Sequence, residues 1–119
     1  MSDTLKAKFE EELNKFKQVE KDREKYISNR QQLESQLTEN NLVKTEFDLL
    51  DEDARVYKLI GAVLVRQDLA EARANVDKRL EYISAEIKRV DDNLSDFAEK
   101  TKIHKEKLVA LQESFKRSQ

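Results

Sequence analysis

The chain contains no cysteine, no proline and no tryptophan, and only one glycine and one histidine. Each absence closes off a class of chemistry. Without cysteine there is no disulfide, no thiolate metal ligand and no cysteine nucleophile. A lone glycine cannot build the glycine-rich loops that bring backbone amides onto a phosphate. The one histidine, His104, has no second histidine or cysteine with which to complete a metal site. It also has no serine or cysteine partner at a strained turn, so no nucleophile–base pair can be recognised. The longest apolar run is Leu59–Val65, far short of the roughly 20 residues of a membrane span. The N-terminal region has no apolar core of the kind a signal peptide carries. No run of like charge is long enough to form a nucleic-acid-binding arm. These features lead us to expect a soluble, cytoplasmic, non-enzymatic protein, with no metal or cofactor and no nucleic-acid or membrane partner.

What is present points to helices. Charged residues are 40% of the 119, with 23 Lys and Arg against 25 Asp and Glu, and mean hydropathy is −0.86. Ala, Glu, Lys, Leu and Arg make up about half of the chain, a composition typical of long helices and coiled coils. A chain this small and polar has little apolar surface from which to build a core.

The sequence is expected to form one domain, 1–119, in three parts. The first part, about residues 4–50, has no helix breaker. Its apolar residues recur at steps of four and three: Phe9, Phe16, Val19, Tyr26, Leu33, Leu37 and Phe47. That seam is broken by Glu12, Arg23, Arg30, Asn40 and Lys44. A seam so polar requires a partner that pairs or tolerates those groups. The last part, about 68–117, carries a cleaner heptad from Val76 through Leu80, Ile83, Ile87, Val90, Leu94, Phe97, Thr101, His104, Leu108 and Leu111 to Phe115. At about 1.5 Å per residue each helix would reach roughly 65–75 Å. Their similar lengths predict an antiparallel coiled coil in which Leu5 meets Phe115, Phe9 meets Leu111, Leu33 meets Ile87 and Leu37 meets Ile83.

The middle, 51–67, changes period. An acidic stop, Asp51–Asp53, precedes Val56-Tyr57-Lys58-Leu59-Ile60 and Val63-Leu64-Val65, with Gly61 between the two apolar runs. β-Branched and aromatic residues around a glycine predict a β-hairpin. A lone hairpin is marginal in water and its edges invite pairing. A self-contained turn is one reading of the segment. The other is an assembly element, because Val56, Leu59, Ile60, Val63, Leu64 and Val65 have no other place to be buried. Tyr57 and Lys58 are expected on its more exposed face. The fold class is therefore mainly α: a long antiparallel two-helix coiled coil with a central β-hairpin.

Several of these segments resemble the β-class subunits of prefoldin. They are Glu39–Asn41, Glu46–Leu50, the Val56–Gly61 segment, Val63–Val65, and Glu71-Ala72-Arg73-Ala74-Asn75-Val76 through Asp77–Ile83. The resemblance covers roughly residues 5–115 and is densest over 46–83. Ala62 departs from the family, whose close members often carry Pro or Asn there, and Ala is a poorer turn former. The resemblance implies a hexamer of two α-class and four β-class subunits, whose hairpins form a barrel platform bearing six coiled coils. It further implies a chaperone that holds non-native proteins, actin and tubulin among them, without ATP, and passes them to the cytosolic group II chaperonin. The hairpin residues Val56, Tyr57, Leu59, Ile60, Gly61, Val63, Leu64 and Val65 would then serve subunit assembly.

Leu5, Phe9, Leu13, Phe16, Leu108, Leu111 and Phe115 gather where the two termini meet. One role open to them is to close the coil. The other is to grip unfolded clients when the helix ends fray. Competing readings are a prefoldin-like assembly with another duty, and a coiled-coil adaptor without holdase activity.

Overall fold

The computed structural model describes residues 2–118. Helix α1 spans Ser2–Asp48, strand β1 Val56–Ile60, strand β2 Val63–Gln67 and helix α2 Leu69–Arg117. Neither helix contains Pro or Gly, so nothing interrupts the backbone ladder. Asp3 lies in the first turn of α1, and Lys116 and Arg117 in the last turn of α2. Each sign suits the helix dipole at its end.

The helix ends are set locally. α1 closes in a tightened turn, with the Leu49 N–H donating to the Glu46 carbonyl (3.2 Å) and the Leu50 N–H to the Phe47 carbonyl (3.1 Å). A turn then follows through the acidic segment, where the Ala54 N–H donates to the Asp51 carbonyl at 3.0 Å. α2 starts on Asp68. Its carboxylate accepts from the Glu71 N–H at 3.2 Å and its carbonyl from the Ala72 N–H at 2.9 Å. This is a capped helix start with Glu at the third helical position.

Packing divides the chain into two compact units. One is Gln31–Lys88, which holds the hairpin. Its buried residues are Leu33 of α1 with Ala72, Val76 and Ile83 of α2. Lys44 lies 3.1 Å from Asp77. Arg73 donates from Nη2 to the Phe47 carbonyl at 2.8 Å, a second donor to the carbonyl that the Leu50 N–H also reaches. The Asn40 amide donates to the Gln36 carbonyl of its own helix at 2.7 Å.

The other unit comprises the chain up to Arg30 and from Arg89 onward. There the two helices run antiparallel, Glu20 meeting Thr101 (3.2 Å) and Arg30 meeting Asp91 through Nε–Oδ1 (2.6 Å) and Nη2–Oδ2 (3.4 Å). The Tyr26 and Phe97 rings lie 5.1 Å apart at a 52° tilt, with the Lys100 ammonium 5.5 Å above Phe97. Val90 is fully buried. Three of the charged residues on the α1 seam thus find partners on α2: Arg30 with Asp91, Lys44 with Asp77, and Glu12 with His104.

β1 and β2 form an antiparallel ladder from Val56–Gln67 to Ile60–Val63. Gly61 has φ +61°, and no other described residue has positive φ. Only the first central residue of the turn is therefore left-handed, the pattern of a type II′ hairpin. Ala62 meets no penalty there, because the second position of this turn needs no positive φ. A Cβ on Gly61 would meet nothing within 4 Å, so any cost of substitution lies in the backbone. Gly61→Ala should destabilise the hairpin by about 1–2 kcal/mol. Hydrogen exchange read by mass spectrometry should show peptides across β1 and β2 exchanging about tenfold faster, with α1 and α2 unchanged.

Candidate functional site

Side chains alternate across a strand, so the ladder sorts the hairpin into two faces. Val56, Lys58, Ile60, Val63, Val65 and Gln67 share one face, and Tyr57, Leu59, Leu64 and Arg66 the other. Tyr57 and Lys58 thus lie on opposite faces and do not mark a common exposed side. Both faces are apolar and both are open. Leu59 is 66% exposed and Leu64 65% exposed, and Tyr57, Ile60, Val63 and Val65 are exposed as well. Only Val56 and Gln67, at the base, are half-buried. A small soluble chain rarely leaves a contiguous apolar patch of this kind in water unless it is an interaction surface.

The second apolar site lies in the unit that holds the two terminal segments. Leu5 and Phe9 of α1 and Leu111 and Phe115 of α2 line a notch of about 320 Å³, with Lys6 and Gln112 at its edge. Phe115 is exposed and the other three are half-buried. Leu13, Phe16 and Leu108 are half-buried but do not line the notch. Sequence periodicity brings out the four apolar walls. It does not bring out Lys6 and Gln112, whose polar side chains give no apolar signal.

Below the notch sits a buried polar pair that heptad periodicity alone does not join. The Glu12 carboxylate accepts from His104 Nδ1 at 2.5 Å, and Glu12 is only 7% exposed. A signal for it does exist in the sequence: a carboxylate on one seam and the lone histidine on the other. The His104 hydrogen bond holds the Glu12 carboxyl below the usual carboxylate range, against burial, which acts the other way. The charges of His104, Lys107 and Lys15 reinforce the lowering. Asp91 is held low by its hydrogen bond from Arg30, although that pair is exposed and adds little to stability. Among the described residues no cluster of His, Cys, Asp or Glu forms a metal site, and no helix is long and apolar enough to cross a membrane.

With two helices, one hairpin and two apolar surfaces in place, comparison with known proteins is decisive. The prefoldin subunit family matches residues 10–115. The chain belongs to that family. It is 56% identical to the probable prefoldin subunit 6 of Caenorhabditis elegans over 109 residues, 92% of this chain and 86% of the relative. It is 49% identical to human prefoldin subunit 6 over 119 residues, 100% of this chain and 92% of the relative. Its fold matches the crystal structure of the prefoldin beta subunit from Thermococcus strain KS-1, with TM-score 0.81 at 19% identity, covering 87% of this chain and 90% of that one. Prefoldin subunits are components of a chaperone complex rather than enzymes.

The buried pair gives this prefoldin subunit a pH signature. A carboxyl whose folded pKa is depressed stabilises the fold above its ordinary value, and the contribution disappears as pH falls through the folded value. Glu12→Ala also strands a half-buried histidine nitrogen, so it should cost roughly 1–3 kcal/mol at pH 7. Thermal melts followed by circular dichroism should show the gap between wild type and Glu12→Ala shrinking below about pH 4. A gap that holds constant into acid would mean that the carboxylate is not its source.

Proposed function

We propose that this chain is a β-class subunit of a hetero-hexameric, ATP-independent chaperone that captures non-native proteins and delivers them to the cytosolic group II chaperonin. The observation that carries this reading is the hairpin, apolar on both faces and uncovered in the chain. At about 1.5–3 kcal/mol per large apolar side chain, its six exposed apolar residues make burial worth on the order of 10 kcal/mol. Neighbouring α- and β-class subunits supply that burial by pairing strands along its edges and packing on its faces. Leu64→Asp should therefore yield a helical but unassembled chain on size-exclusion chromatography with the remaining subunits. A hexamer that survived this substitution would remove the hairpin from the assembly surface.

Client capture belongs to the notch between Leu5, Phe9, Leu111 and Phe115, with Leu13, Phe16 and Leu108 extending its apolar surroundings. Helix ends are the least stable parts of a helix pair, so local opening enlarges the surface offered to an unfolded segment. One notch of this size binds weakly, but several on one platform bind by avidity. Actin- and tubulin-class chains, which expose long apolar segments before folding, are the clients the family resemblance implies. Phe9→Ser combined with Phe115→Ser should reduce retention of a denatured client several-fold in a pull-down while the hexamer persists. Disassembly of the hexamer instead would assign these residues to structure alone.

A further inference from the structure

The last turns of α1 carry an apolar surface that the coiled coil does not use. At 100° per residue, Leu42 is half a turn out of phase with the buried Leu33, and Leu49 follows in the tightened turn just past the end of α1. Leu42 therefore faces away from α2, and the two leucines are 62% and 79% exposed. Val43 and Leu50, one residue further on, flank them and are also exposed. The preceding positions on the Leu42 side of the helix are Gln31, Ser35 and Thr38. The outer face of α1 thus changes from polar to apolar over its final turns, next in the chain to the hairpin and within the same compact unit. The outer face of a self-sufficient two-helix coil has no use for four large apolar residues so close together.

Area argues for what covers them. A standard protein interface engages roughly 20–30 residues on each side. The hairpin offers two strands of five residues, and a subunit inside a closed ring has two neighbours to satisfy. Two such short strands, divided between two neighbours, fall short of a stable contact with either. The nearest apolar surface along the chain is the Leu42–Leu49 stripe, rimmed by Glu39, Thr45 and Glu46, polar as the rim of a protein interface is.

We propose that the outer face of α1 at Leu42 and Val43, continued by Leu49 and Leu50 just past its end, is a second assembly surface, packed against an apolar patch of a neighbouring prefoldin subunit in the same complex. This rests on the reading of the hairpin as an assembly element. It implies that each subunit is held at two places, the hairpin and the adjoining helix end, which fixes the angle at which the helix pair leaves the platform.

The test uses the complete complex, co-expressed with this chain carrying Leu42→Ser and Leu49→Ser. The complex should still form but exchange this subunit at least tenfold faster, and the isolated variant should keep wild-type helicity because both side chains face water. Because the chain has no cysteine, Leu49→Cys carrying a polarity-sensitive fluorophore gives an independent readout, with a blue shift expected on assembly. Exchange within twofold of wild type and no shift would overturn the proposal. So would unchanged exchange with weakened client retention, which would make the stripe a client site. Leu64→Asp separates the two readings. If it abolishes assembly while the helix variant is neutral, only the second surface fails. If it leaves assembly intact, the hairpin reading fails as well.

Discussion

Two helices joined by a two-stranded hairpin leave the hairpin without a second layer. A sheet becomes stable when at least one face is packed, and a pair of strands alone is marginal. Here neither face is packed, and most residues on both are Val, Leu, Ile or Tyr. The same shortage that makes the strands weak in the single chain makes them adhesive. On the proposed reading, subunit association supplies the missing layer and closes the exposed strand edges at the same time. The type II′ turn at Gly61–Ala62 matters because it matches the right-handed twist of the strands, so the apolar surface is shaped before any partner meets it.

The helices solve a different problem. α1 has charged groups where a coiled coil wants apolar ones, and α2 supplies a partner at three of those places: His104 for Glu12, Asp91 for Arg30 and Asp77 for Lys44. The exposed pairs add little energy. They act on alignment, because a slip of one turn would leave each charge facing the wrong neighbour. Glu12 is the strict case, since a buried carboxylate without its hydrogen-bond donor is costly. The pairing also explains how so polar a seam remains helical. Its stability comes from α2 rather than from α1's own apolar stripe.

The fold tolerates wide change in residue identity. At 19% identity the archaeal beta subunit still superposes with a TM-score of 0.81. Heptad packing asks for apolar residues at the right phase, and many sequences satisfy that demand. The proposed function rests on what the pattern leaves uncovered: the hairpin in the middle of the chain and the apolar notch built from the two terminal segments.

The two helical spans, the hairpin between them and Gly61 at its turn are legible in the residues, because they follow from local rules: heptad spacing, the absence of helix breakers, and β-branched runs around a glycine. The antiparallel register is also within reach of the sequence, and Leu5, Phe9, Leu111 and Phe115 do come together. Other features depend on three dimensions. Whether Ala62 suits the turn hangs on which central residue takes positive φ, which composition does not reveal. Glu12 and His104 are 92 positions apart, and their bond exists only once two helices face each other at one rotation. Leu42 and Leu49 resemble any other leucines until the direction of the core is known, because a helical wheel gives relative phase and not which side meets the partner. Local chemistry writes the elements into the chain. Which side chains end up paired, and which are left in water, follows from how those elements pack.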